Sequence, residues 1–424
     1  MTISTCRGCG ADGLKDIVSL GEQPPANALT ATPRPADERR YPLDLVLCEA
    51  CGLAQLTVTV PPAELFSDYA YFSSYSPTLV ANAADLVGRL VEQRRLGPDD
   101  LAMEIGSNDG YLLQHYQERG VSVLGVDPAG NVVEAARARG IPTECDFFGI
   151  EVADRLVAQG HRAAVLHANN VLAHVPDVNG VLAGIARVLA AGGVAVIETP
   201  YVRDLVEQLE FDTIYHEHLF YYSVTALERL FRRNGLRLDD LEHIPVHGGS
   251  LRAFAVPDDG AAPPPAVQRY LEDERRLGID GAAYFRDFGQ RVDELRAKLR
   301  ALLDDLRASG ARLAGYGAAA KATVLLNAIG ADASTLEFVA DQSPHKQGRH
   351  IPGVGTLIVD PAELLARQPD YVLLLAWTFA TEILKQQDAY RRGGGRFVMP
   401  VPQPRVIGPA DDSAVQPPSN SPAS

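Results

Sequence analysis

Long apolar runs are missing from this 424-residue chain. None approaches the roughly 18 residues that span a bilayer, so no membrane helix is expected. Basic blocks are missing too. Net charge is -15, from 54 acidic and 39 basic residues, and no Lys/Arg-rich stretch supplies the field of a nucleic-acid binder. That charge repels polyanions in general, although a few cations or helix N-termini can still hold a small anion. The first residues, MTISTCRGCG, have neither the basic start nor the apolar stretch of a secretory signal, so a cytoplasmic location is expected. Cysteine is scarce, five in all, yet four of them fall in two C-x-x-C pairs. Without an export signal that pattern points to metal rather than to disulfides. Cys145 lacks a partner and reads as a small buried hydrophobe.

What remains is an α/β chain long enough for two to four domains. Residues 1 to about 60 are turn-rich and too few for a core of their own, so a metal staple suits them. An aromatic segment with Tyr69, Tyr71, Phe72 and Tyr75 leads into an amphipathic helix over 78–95. From Leu101 strands and helices alternate: LAMEIG, GYLLQHYQERG, VSVLGVD, NVVEAARARG, then AAVLHAN and GVAVIETP about a helix. Such a run predicts a parallel doubly wound sheet with its ligand edge at the carboxyl ends of the strands. After Pro200 a long irregular stretch carries YHEH. Two strand-like pieces, a Pro-rich junction and a charged helical region follow. At Arg312 a second α/β unit opens with RLAGYGAAAKATVLLNAIG. The Pro/Ser-rich end reads as disordered.

Three signals carry chemistry. Cys6/Cys9 and Cys48/Cys51 form two turns that can close a tetrahedral S4 site around structural zinc, with no open position for catalysis. EIGSNDG follows a strand and opens a helix. Its glycines, Gly106 and Gly110, let a ligand approach the backbone, and Asp127 ends the next strand, roughly 20 residues on, where an acid can take ribose hydroxyls. The spacing is not the G-x-G-x-x-G of a dinucleotide site, and no pyrophosphate is implied. Tyr215-His216-Glu217-His218 places four polar groups in a row, poor helix or strand material and apt for acid–base work, or else a polar surface turn.

The order CRGC, CEAC, EIGSNDGYLL, GVDPA, HVPD, YHEHLFYYS, HGGSLR and GYGAAAKATVLLN resembles the zinc-containing, S-adenosylmethionine-dependent C-methyltransferases that act on dTDP-linked 4-keto-deoxyhexoses in antibiotic sugar pathways. The resemblance spans nearly the whole chain. It implies a zinc-binding module (1–75), a Rossmann-like S-adenosylmethionine domain (76–257), a helical connector (258–309), a second Rossmann-like domain for the sugar nucleotide (310–408) and a disordered tail (409–424). It implies methylation of the carbon next to the C4 ketone, C3, through an enolate. His218 would be the base, with Glu217, Tyr215, His174 and Tyr69 completing the catalytic set. Gly106, Asn108, Asp127, Asp146, Phe147 and Asn169 would flank the cofactor. Asn170 would lie on the sugar side, and Gly317, Lys321 and Asn327 would hold the diphosphate through turn amides and a cation. The implied partners are a dTDP-linked 4-keto sugar, with no nucleic acid and no membrane; a monomer is compatible with all of this.

Rival readings differ in measurable ways. A C5-methyltransferase would share the motifs. An O- or N-methyltransferase would need no enolate. A nicotinamide oxidoreductase would want the missing G-x-G-x-x-G, and a non-enzymatic zinc-ribbon protein would not bind S-adenosylmethionine.

Overall fold

The computed structural model describes residues 2–33, 37–61, 65, 72–245, 248–409 and 411. Contacts divide the chain into two compact units that interleave in sequence. The first comprises Met1–Asp16, Val46–Arg203 and Glu217–Phe285; the second comprises Ile17–Leu45, Asp204–His216 and Arg286–Ser424. Strands β1 (Lys15–Gln23) and β2 (Tyr41–Cys48) carry the chain through two of these crossings. The tail expected to be disordered lies outside the described residues from 412 onward.

In the first unit, β3 (Leu53–Leu56) is followed by a helix, Pro77–Arg94. Pro77 fits its first turn, Ser76 Oγ accepts from the Leu79 amide at 3.4 Å, and Arg95 ends it in the left-handed region. Its buried residues, Ala83, Leu86, Val87 and Leu90, recur at helical spacing and face one core. The sheet then forms from β4 (Leu101–Ile105), β5 (Ser122–Asp127), β6 (Thr143–Cys145), β7 (Ala163–Asn169) and β8 (Leu189–Pro200). After the two-residue β9 (Phe220–Tyr221) come β10 (Leu236–Ile244) and β11 (Ser250–Pro257). The order is β10-β11-β8-β7-β4-β5-β6. Strands β4 to β8 are mutually parallel, whereas β11 runs antiparallel to β8 and to β10. The alternating run from Leu101 to Pro200 is parallel as its pattern implied, and the two later strand-like pieces, β10 and β11, add an antiparallel edge. The short loop between β10 and β11 cannot host a parallel crossover, so the sheet closes on a hairpin.

The central strands are apolar almost throughout, because helices cover both faces. One core joins β4, β7 and β8 to the helices Ile150–Ala158 and Val178–Val188, and it includes Cys6, Cys48 and Leu53. The cysteine-bearing segment therefore has no separate core and shares that of the sheet. Cys145, read from sequence as buried, is exposed, since it ends β6, the edge strand of the sheet, where it pairs only with Asp127.

In the second unit, β12 (Leu313–Tyr316), β13 (Val339–Ala340), β14 (Ile358–Val359), β15 (Tyr371–Leu374), β16 (Arg396–Met399) and β17 (Arg405–Ile407) form a sheet in the order β14-β13-β12-β15-β16-β17. All pairs are parallel except β16 with β17. This is a second Rossmann-like layer.

Candidate active site and metal centre

The four C-x-x-C cysteines converge: their Sγ atoms all lie within 4.8 Å of one another. Cys6 and Cys51 stand 3.6 Å apart, and Cys9 and Cys48 stand 3.5 Å apart. A tetrahedral zinc with Zn–S near 2.3 Å needs sulfurs about 3.8 Å apart, so the set fits that ion. Each turn is closed by its own backbone, Gly10 N donating to Cys6 O and Gly52 N to Cys48 O. The Cys6 thiol is pushed down to about 4 by a hydrogen bond from Cys51, whose own thiol is pushed up.

The metal centre is wired to the histidine-rich loop. Gln55 on β3 is fully buried; its Nε2 donates to Cys6 Sγ at 3.1 Å and its Oε1 accepts from the Arg7 amide at 3.1 Å. The same residue pairs with Phe220 of β9, two positions beyond His218, and Leu56 N donates to Leu219 O at 2.9 Å. From the other side Leu219 N donates to Ala173 O at 2.6 Å, and Tyr222 OH donates to Leu172 O at 2.9 Å. The loop after β7 and the YHEH loop are therefore held against each other. His174 and His218 meet edge to face with ring centroids 4.8 Å apart. The His174 ring also bonds the Glu217 carbonyl, and burial lowers its pKa to about 4. His174 is thus a neutral imidazole at pH 7.

Glu217 and His218 are buried, 5 % and 9 % exposed, so YHEH is not a surface turn. The division between the units falls inside the motif: Tyr215 and His216 go with the second unit, Glu217 and His218 with the first. His216 is spent on structure, its Nε2 lying 3.2 Å from Tyr41 O and 3.3 Å from Pro42 O. Tyr215 is half-buried. Tyr69 lies outside the described residues.

The residues expected to hold the cofactor stand at the carboxyl edge of the first sheet. Gly106 has φ 64°, and a Cβ there would meet Val171 Cγ2 at 2.7 Å. That contact seats the loop carrying His174 on the glycine turn. Asp127 accepts from Asn108 N and Ala129 N, both at 2.9 Å, so its carboxylate is fixed while spare lone pairs remain for a hydroxyl. Asn170 adopts φ 54° and donates its amide to Glu198 O. Phe147 is 61 % exposed, a free apolar face at the strand edge. Asp146 is already tied to Arg155 at 2.9 Å, which turns it toward the surface.

One residue of this edge was not singled out from sequence. Glu104, last but one in β4, is 1 % exposed, and its Oε2 has no hydrogen-bond partner. Burial raises its pKa, helped by Asp127, Asp109 and Glu198. Ser107 Oγ and Asn169 Oδ1 also lack partners. Unpaired buried acids beside a backbone cradle suit a cationic ligand, and a sulfonium with an α-ammonium group is one. The acid inside the EIGSNDG motif itself was the available signal. Glu104→Gln is expected to weaken S-adenosylmethionine binding about tenfold in calorimetry. Its melting temperature should not fall, because an uncompensated buried carboxyl is removed.

Two histidines of this unit set its acid stability. Burial lowers His167 to about 3, where its Nε2 meets Tyr116 OH at 2.9 Å, and His174 to about 4. The unfolded chain takes protons near the ordinary value of 6.5 that the folded chain refuses. Stability is therefore intact above about pH 6.5 and falls as pH drops toward 4, by about 1.4 kcal/mol per pH unit for each histidine. Urea melts across that range should show the slope, and His167→Gln should flatten it.

In the second unit Gly317 has φ 94°, and a Cβ there would meet Ala376 Cβ at 2.5 Å, so the glycine serves strand packing. The turn amides expected to hold a diphosphate are partly spent: Gly317 N donates to Ala340 O, and Ala318 N to Asp341 Oδ2. Asn327 gives its amide protons to Thr323 O and Pro352 O, both at 2.9 Å, which makes it a tether of the helix. Lys321 remains.

Comparison with known proteins covers most of the chain. Residues 6–66 match the family described as a zinc binding domain, 80–241 a methyltransferase domain, and 245–402 the C-methyltransferase C-terminal domain. C-methyltransferase NovU of Streptomyces niveus is 38% identical over 409 residues, 96% of this chain and 97% of that one. Ubiquinone biosynthesis O-methyltransferase of Bartonella quintana (strain Toulouse) is 28% identical over 98 residues, 23% of this chain and 40% of that one. Among solved structures, magnesium protoporphyrin IX methyltransferase of Synechocystis PCC 6803 with bound SAM is 15% identical, covering 42% of this chain and 79% of that one at a TM-score of 0.32.

Proposed function

Because the chain belongs to the zinc-containing, S-adenosylmethionine-dependent C-methyltransferases, we propose that it methylates C3 of a dTDP-linked 4-keto-deoxyhexose, with His218 as the base. The observation that carries this reading is the buried meeting of His218 with His174 on a loop that packs against the glycine turn.

A sugar C–H is acidic enough for an enzyme only beside a carbonyl, so the C4 ketone is a chemical requirement of carbon methylation. His218 takes the C3 proton, and the C–H electron pair moves into the C3–C4 bond as the ketone oxygen gains negative charge. His174, neutral and anchored on the Glu217 carbonyl, fixes the orientation of the His218 ring; with a pKa near 4 it is too weak a base for the step itself. S-adenosylmethionine, when bound, would supply a sulfonium methyl for transfer to C3, with S-adenosylhomocysteine as the leaving group and the C4 ketone restored. Glu104 and Asp127 hold the cofactor, and His218 returns its proton to water. Glu217, Tyr215 and Tyr69 are assigned to the acid–base and sugar-binding set.

The test is turnover with a dTDP-4-keto-2,6-dideoxyhexose and cofactor labelled with carbon-13 in its methyl. The product should gain one methyl, and its labelled carbon should couple to C3. A label bonded to oxygen or nitrogen would rule the reading out, and coupling to C5 would reassign the carbon.

A further inference from the structure

Glu274 and Val267 are the buried residues of the helix Pro265–Leu277, and Glu274 is 0 % exposed. A carboxyl taken out of water needs hydrogen bonds in its place. This one accepts four. Oε1 takes the Tyr201 hydroxyl and the Val224 amide, both at 2.8 Å. Oε2 takes the Thr225 amide at 2.7 Å and the Thr225 hydroxyl at 2.6 Å. That fills the acceptor sites of a carboxyl.

The stability of the helix Val224–Arg233 does not account for this clip. That helix already has a cap of its own, Ser223 Oγ accepting from the Ala226 amide at 3.0 Å. What Glu274 adds is a fixed relation between the helix start and Tyr201, the residue that follows β8. The segment after the YHEH motif is caught in that relation. Tyr201 forms a parallel bridge with Tyr222, and Val202 N donates to Tyr222 O at 2.9 Å. Glu274 therefore holds Tyr222 twice, through its bridge partner Tyr201 and through Val224 two residues on.

The pair Tyr221 and Tyr222 in turn sets the rings that meet His218. The Tyr221 ring meets it edge to face with centroids 6.3 Å apart. The Tyr222 hydroxyl donates to Leu172 O, two residues before His174, whose ring stands 4.8 Å from that of His218. All of these residues belong to the first unit.

We propose that Glu274 is a positioning residue for the base: by clamping Tyr201 to the start of the helix Val224–Arg233 it fixes the pair Tyr221 and Tyr222, and through that pair the His218 ring. The inference rests on the reading of His218 as the base. Glu274 touches no reacting atom, and its effect appears in the proton-removal step alone.

The test separates positioning from folding. Zinc-loaded full-length protein carries Glu274→Gln, which keeps the shape of the side chain. Whichever oxygen becomes the amide nitrogen then faces a backbone N–H, of Val224 or of Thr225. Exchange of the C3 proton of the dTDP-4-keto sugar with deuterated water is followed with S-adenosylmethionine withheld, beside kcat, KM and cofactor calorimetry. Exchange and kcat should both fall about tenfold, with KM for the sugar and S-adenosylmethionine affinity unchanged. Tyr201→Phe, which removes one of the four donors, should lower exchange about threefold. The sharpest comparison is made in a His218→Gln background. There Glu274→Gln should lower residual turnover no further, because the ring it positions is gone. If Glu274→Gln does not fold, Tyr201→Phe is put through the same comparison. Wild-type exchange in a folded variant, or the same loss with and without His218, would overturn the proposal and leave His218 standing as the base. No C3 exchange by the wild-type protein would overturn the reading of His218, and this inference with it.

Discussion

Replacing His218 with glutamine is expected to lower kcat about a thousandfold while leaving S-adenosylmethionine affinity and the melting temperature near their wild-type values. The magnitude follows from the role: a positioned base that removes the proton in the rate-limiting step contributes on the order of 10²–10⁴. The selectivity follows from place. His218 stands on the loop before β9, against His174, whereas the residues proposed to hold the cofactor stand on β4, β5 and the end of β7. Glutamine keeps the size and polarity of the side chain, and the backbone pairing of Leu219 and Phe220 with β3 does not depend on it. His174→Gln should cost less, because it removes an orienting ring and not the proton acceptor. The measurement is steady-state methyl transfer beside calorimetry for the cofactor. Full activity in His218→Gln would mean that no enolate is formed, which is what an oxygen or nitrogen acceptor requires.

The second large effect is expected from the metal. Structural zinc in small modules contributes about 10–16 kcal/mol of apparent binding free energy, and the cysteine segment has no core of its own to replace it. Cys48→Ser with Cys51→Ser should therefore abolish zinc binding and unfold residues 1–16 and 46–60. The wiring adds a sharper expectation. Gln55 links Cys6 to the backbone pairing of β3 with β9, and β9 begins two residues after His218. Partial removal of zinc by a chelator should thus reduce kcat in proportion to the metal lost, with S-adenosylmethionine affinity unaffected until the sheet itself melts. Metal content, turnover and cofactor affinity measured on the same samples separate these effects. Full turnover from metal-free protein would disconnect the module from the base.

The parts of this molecule that were legible in sequence are those whose chemistry dictates spacing. Two C-x-x-C turns announce four thiolates for one ion, and the strand-turn-helix around EIGSNDG announces a ligand edge. Continuous apolar strands announce a covered parallel sheet. The parts that were not legible depend on tertiary placement. Glu104 reads as one more charge in a strand until its burial and the nearness of Asp109 and Asp127 give it a task. Glu274 sits in a charged helix, and only folding brings it to Tyr201 and Val224, 73 and 50 residues away in sequence. The interleaving of 17–45 and 204–216 with the C-terminal part depends on contacts distant in sequence, to which no local pattern points. Asn327 and Gly317 looked like ligand residues because Asn and Gly accompany phosphate turns, yet the same chemistry ties a helix to Pro352 and lets β12 pass Ala376.

The most direct measurement is hydrogen exchange at the carbon beside the ketone. The protein is incubated with the dTDP-4-keto sugar in deuterated water, with S-adenosylmethionine withheld, and the C3 proton signal is followed by NMR. Loss of that signal at a rate set by the wild-type protein, and its persistence with His218→Gln, is the expected result. A C3 proton that survives through many turnover times of the complete reaction would contradict base-catalysed enolisation by His218.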